Sequence, residues 1–156
     1  MLATTNTPLD LGNLEGMSAA EIAQKIENEA LKLPQLQIET THLFAHNLYA
    51  REIKIPAGAL LTGHTHRLSQ LNIVSKGDIS VLTDQGVKRL TAPATFVSPP
   101  GTKRVGYAHA ETVWTTVLGV EEKDIEEIEK KYIVRGEEEF KKYCLEHPDI
   151  AKLAGD

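Results

Sequence analysis

His64 and His66, one residue apart in Gly63-His64-Thr65-His66, are the side chains of this sequence best placed to do chemistry. Alternate residues of an extended strand share a face, so both imidazoles can aim at one point, the arrangement a metal ion uses. Gln70 and Asn72 have the same parity, and the run reaches a turn at Gly77. The plainer reading is a pair of partly exposed loop histidines following Gly63.

Other polar and aromatic candidates surround that pair. Tyr49, Arg51, Ile53 and Ile55 fall on one face of a strand, with Ala50, Glu52 and Lys54 on the other, exterior one. Tyr49, Arg51, Tyr107 and Trp114 are positioned to line a ligand site, although aromatic residues on strands are more often core. His42, His46 and His109 read as surface or edge residues, and Glu111 as solvated at a hairpin tip. Cys144 reads as a buried structural thiol. There is no glycine-rich phosphate loop and no nucleophile elbow.

The elements that must hold these residues follow from periodicity. From Ser18 the segment SAAEIAQKIENEALKL carries Ile22, Ile26 and Leu33 at helical spacing behind a Ser18/Glu21 capping box, with Pro34 marking its end. From about Leu36 to Val120, short runs of Ile, Val, Thr and Leu alternate with Pro56-Ala57-Gly58, Ser75-Lys76-Gly77-Asp78, Asp84-Gln85-Gly86 and Pro99-Pro100-Gly101, which predicts a sandwich or barrel. Beyond Val120 helical spacing returns. Asp124 caps a segment striped by Ile125, Ile128, Tyr132 and Ile133. A second helix is expected over 137–147, burying Phe140, Tyr143 and Cys144, before Pro148 and a tail. Three parts result: an N-terminal segment with its helix (1–35), a barrel (36–120), and C-terminal helices with a tail (121–156).

Composition bounds the rest. A length of 156 residues with 41% hydrophobic residues suits one domain of ordinary core size. A net charge of -5 disfavours nucleic acid and anionic membrane as partners. One cysteine excludes an internal disulfide, and residues 1–16 lack a basic-then-apolar leader layout, so a cytoplasmic setting is expected. No apolar run is long enough to span a bilayer.

The series Gly58, His64, His66, Gln70, Gly77 resembles the first motif of the cupin superfamily, with Gln in place of its usual Glu. Pro99-Pro100-Gly101 is similar to part of the second motif, and the resemblance covers about residues 45–120. It implies a mainly β, cupin-type jelly-roll barrel, commonly a homodimer, with an N-terminal helix and two C-terminal helices. It also implies a divalent transition metal (Zn, Ni, Mn or Fe) on His64, His66 and Gln70. The third histidine of the family falls at Arg104, the motif-two Gly at Pro93 and its Asn at Ala108. The stretch from Gly101 to His109 with Val113–Val117 also looks like small cupins of phages and prophages.

Two readings of Arg104 stay open. Inside the barrel, a guanidinium would repel a divalent cation and bind a carboxylate or phosphate in bidentate fashion. On a strand turned by a bulge, Lys103 and Arg104 would face solvent and another histidine would complete the site. The expectation is a metal-binding cupin that binds or acts on a small, polar, anionic metabolite by isomerase, cyclase or lyase chemistry, with Arg104, Arg51, Tyr49, Asn72 and Tyr107 around the ligand. The rival is a barrel with no metal at all, serving as a ligand-binding or phage-associated interaction module. A third option is a sensor whose added helices transmit occupancy.

Overall fold

Among the described residues, β-branched and aromatic runs between Gly and Pro turns build twelve strands, and four helices flank them: β1 (Leu2–Thr4), α1 (Ala19–Ala30), β2 (Glu39–Ala45), β3 (Leu48–Ile55), β4 (Leu60–Thr62), β5 (Thr65–His66), β6 (Gln70–Lys76), β7 (Asp78–Thr83), β8 (Gly86–Thr91), β9 (Ala94–Ser98), β10 (Val105–Ala108), β11 (Thr112–Gly119), α2 (Ile125–Tyr132), β12 (Ile133–Val134), α3 (Glu137–Glu146) and α4 (Pro148–Ala154). This computed structural model describes residues 2–4 and 9–154. The leader reading of 1–16 and the last residues of the tail therefore lie partly outside the described residues.

Two five-stranded antiparallel sheets run in the orders β1-β4-β10-β7-β8 and β2-β3-β11-β6-β9. Apart from the β7–β8 hairpin, consecutive strands from β3 to β11 pass from one main sheet to the other, with the short β5 pairing separately. The eight strands β3, β4 and β6 to β11 thus form a jelly roll, with β1 and β2 added at its edges. Ile53, Ile55, Leu61, Val74, Ile79, Val81 and Trp114 fill the space between the sheets. A smaller cluster of Tyr49, Leu118, Val120 and Ile128 docks α2 at one end.

The Ser18/Glu21 capping box forms as expected: Glu21 N donates to Ser18 Oγ at 3.2 Å and Ser18 N to Glu21 Oε2 at 2.6 Å. Helix α1 ends at Ala30 rather than at Pro34, because Lys32 N and Leu33 N donate to Glu29 and Ala30 carbonyls in a tightened last turn. Asp124 caps α2 by accepting from Glu127 N at 3.1 Å.

The C-terminal part differs from expectation in two respects. A short strand, β12, follows α2 and pairs with β5, Ile133 opposite His66. Pro148 ends α3 and also opens α4, since its missing N–H costs nothing in a first turn. Phe140, Tyr143 and Cys144 are half-buried rather than buried. Phe140 lies against Gly101, which has φ +81° and no room for a Cβ. No helix among the described residues is long and apolar enough to cross a membrane.

Candidate functional site

A cavity of about 60 Å³ lies between the sheets. His64, His66, Gln70, Asn72, Arg51 and Arg104 line it, together with Ser98, Thr102, Trp114 and Thr116, which sequence reasoning had not placed there as polar lining apart from Trp114. Parity held the signal for Ser98 and Thr116, while Thr102 lies in the loop between β9 and β10. Ser98 alternates with Phe96 on β9, and Thr116 with Trp114 on β11, so a polar side chain is turned inward where an apolar one is the rule.

The histidines reach the cavity by a different route from a continuous strand. His64 precedes β5, only Thr65 and His66 are extended, and a bend separates them from Gln70 at the start of β6. The segment is fixed from two sides. Gly101 N donates to the His66 carbonyl at 2.9 Å, and Arg67 N to the Tyr132 carbonyl at 2.7 Å beside the β5–β12 pairing. The left-handed Gly101 in the Pro-Pro-Gly turn is what lets that amide turn toward His66.

Burial is the main cause that pushes His66 down to about 3, with the Arg51 guanidinium adding to it, and His64 down to about 4. Both rings are neutral near pH 7. His66 Nδ1 lies 3.1 Å from the His64 carbonyl. A carbonyl only accepts, so Nδ1 carries the proton and Nε2 is the lone-pair nitrogen.

Arg104 enters the barrel. Its Nη2 donates to Ser98 Oγ at 3.0 Å, its guanidinium stands 5.6 Å over the Phe96 ring, and its Nε is buried without a hydrogen-bond partner. Ser98 Oγ also accepts from Asn72 Nδ2 at 2.9 Å, and Asn72 Oδ1 accepts from Trp114 Nε1 and Thr116 Oγ1, both at 3.1 Å. Asn72 is thus the hub that orients Ser98 under Arg104. Burial lowers the pKa of Arg51 and of Arg104 from the ordinary guanidinium value. Among the described residues no Asp or Glu side chain lines the cavity, while Glu129 stands in the adjoining recess with Arg51 and His66.

The remaining candidates lie elsewhere. Tyr107 sits on the outer face of β10, edge-on to His109 at 5.1 Å, because Gly106 takes the inward position. Ser80 Oγ is 2.6 Å from His109 Nε2 on the same outer face. Tyr49 is buried in the cluster with Ile128, its hydroxyl 2.7 Å from His42 Nδ1, and lines a separate small recess with Arg51 and His66. His46 is exposed in the β2–β3 turn. None of His42, His46 or His109 lines the cavity, so none replaces the third histidine that Arg104 displaces.

For a divalent cation the donor set is two neutral imidazoles and an amide, with no anionic ligand and two guanidiniums lining the same cavity. Among the described residues no three His, Cys, Asp or Glu side chains assemble as a metal cluster. Bringing a further +2 charge into that volume adds repulsion without a compensating anion, so these residues do not fit a resident divalent metal.

No family model matches the chain, and no curated protein matches it. Among solved structures it is similar to an acetylacetone dioxygenase from Acinetobacter johnsonii at 18% identity and TM-score 0.45, over 52% of this chain and 58% of that one. It is similar to an RmlC-like cupin from Shewanella frigidimarina at 28% identity and TM-score 0.44, over 52% and 80%. It is also similar to KdgF from a Halomonas species at 24% identity and TM-score 0.45, over 53% and 80%. The chain therefore spans less than two thirds of the dioxygenase, and the jelly roll itself rests on the strand order described above.

Proposed function

We propose that the barrel binds a small carboxylate, with Arg104 as principal anchor and Arg51 as the second cation. One observation carries this reading: two guanidiniums face a cavity that contains no carboxylate. The acids that act on these half-buried guanidiniums, Glu129 on Arg51 and Asp84 on Arg104, stand outside the cavity, so its wall stays positive and an anionic ligand supplies a partner there. The Arg104 fork suits the two oxygens of a carboxylate, and Ser98, whose oxygen already accepts twice, has its own O–H to donate. His64, His66 and Gln70 complete the polar wall.

Calorimetric titration with simple carboxylates at low salt tests the reading. Wild type is expected to bind, and Arg104→Gln to lose at least about tenfold in affinity, the scale of a hydrogen bond to a charged group. Equal binding by both proteins would overturn it. Zn, Ni, Mn and Fe titrations form the opposing arm: a full equivalent of one of them held by wild type and lost in His66→Ala would establish the metal centre instead.

We infer that copies of the chain pair through the outer face of the β3-containing sheet. Leu43, Ala50, Val117, Leu71 and Val97 stand directly opposite one another in register, making one apolar row across all five strands, and Leu43, Leu71 and Val97 are exposed. A two-fold axis along the strands through Val117 sets small Ala50 against Leu71 of the second copy, a self-complementary fit. Sedimentation equilibrium is expected to show a dimer that Leu71→Glu converts to monomer; a monomeric wild type at high concentration would reject the pairing.

A further inference from the structure

Resting on the carboxylate reading, we infer that the ligand is an amphipathic monocarboxylic acid with a compact apolar body, rather than a polyhydroxylated acid such as a sugar acid. The register of the sheet draws the boundary. Arg51, Thr116 and Asn72 are directly opposite one another and form a polar level. Two residues further along each strand, Ile53, Trp114 and Val74 form the next level, which is apolar. In the facing sheet Leu61, Gly106 and Val81 are likewise in register, with the exposed Lys88 beyond Val81 at the β8 edge and outside the cavity lining. His64 also borders the outer groove beneath α1 and α2, so the polar level lies toward the opening and the apolar level is the floor.

Hydrogen-bond accounting sharpens the distinction. Asn72 Oδ1 already accepts two bonds, its Nδ2 is given to Ser98, and the Trp114 N–H is given to Asn72. The unspent capacity, Arg104 Nε and the Ser98 hydroxyl proton as donors and His66 Nε2 as an acceptor beside Gln70, lies at the polar level and none of it at the floor, which matches a ligand whose polar group is confined to one end. Ring hydroxyls of a sugar acid would be carried down against Ile53, Ile79 and Val81, where they would lose water and gain no partner. An alkyl or small aromatic body gains there by burial, and the cavity volume of about 60 Å³ keeps that body short.

The test is calorimetry of the full chain with acetate, butanoate, 4-methylpentanoate, benzoate and glucuronate. Affinity is expected to rise about fourfold per added methylene until the floor is filled, with glucuronate weaker than butanoate. Val81→Thr, close in volume, is expected to weaken 4-methylpentanoate more than acetate. Glucuronate binding as tightly as 4-methylpentanoate, or affinities independent of chain length, would overturn this inference while leaving the carboxylate site standing. Failure of every acid to bind would instead remove the carboxylate reading and this inference with it.

Discussion

At the scale of single residues, the site depends on a side chain that need not touch a ligand. Asn72 joins Trp114, Thr116 and Ser98, and through Ser98 it fixes Arg104. Asn72→Ala leaves the indole N–H and the hydroxyls without that partner, and urea unfolding is expected to show a loss of about 1–3 kcal/mol, the cost of buried groups left unsatisfied. Arg104→Lys separates charge from shape: it keeps the cation and loses the fork, so carboxylate affinity is expected to fall between those of wild type and Arg104→Gln in the same titration. The His-x-His pair and Gln70 were legible in the sequence because short-range spacing records them. The Ser98–Asn72–Trp114 relay was not, because its members come from β9, β6 and β11, and only sheet register brings them together.

Among the elements, those with a long period or a local cap were readable. The box Ser18/Glu21 announces α1 and Asp124 announces α2, and Ser18→Ala is expected to cost about 1 kcal/mol in thermal or urea unfolding. The elements that escaped were β1, β12 and α4. Strands of two or three residues carry no periodicity, and Pro148 reads as a stop unless the chain resumes directly behind it. Helix α2 is tied at its base by Glu122, which pairs with Lys131 and accepts from Tyr132 Oη at 2.9 Å. The Lys131 bond is the leading reason its carboxyl is held down to about 2. A depressed carboxylate contributes stability that is present above its unfolded value near 4.5 and lost as pH falls toward 2. The thermal midpoint is therefore expected to drop across that window, and Glu122→Gln to flatten the drop while lowering the midpoint at neutral pH. An unchanged profile in the variant would show that the bond is fully screened by solvent.

Over the whole molecule, the jelly roll was foreseeable from turn spacing and from the resemblance of Gly58 to Gly77, whereas the way the added segments meet the barrel was not. Both chain ends converge on the segment that carries the histidines. From one side Glu27 of α1 pairs with Lys103, whose ammonium also reaches the Gly63 carbonyl at 3.2 Å. From the other, β12 pairs with β5, and Arg67 bonds the Lys131 carbonyl at 3.0 Å and Glu139 at 3.1 Å. These contacts link segments far apart in sequence and mostly near the surface, while Val74 and Trp114 sit in the shared core. Hydrogen exchange is expected to find the Arg67 and Gly101 amides opening well before those of Val74 and Trp114.

The β5–β12 pairing also sets an order of events during synthesis. Every strand of the jelly roll has been made once Gly119 is added, yet the partner of His66 comes only with Ile133. The last brace on the histidine loop is thus made after all the strands it steadies.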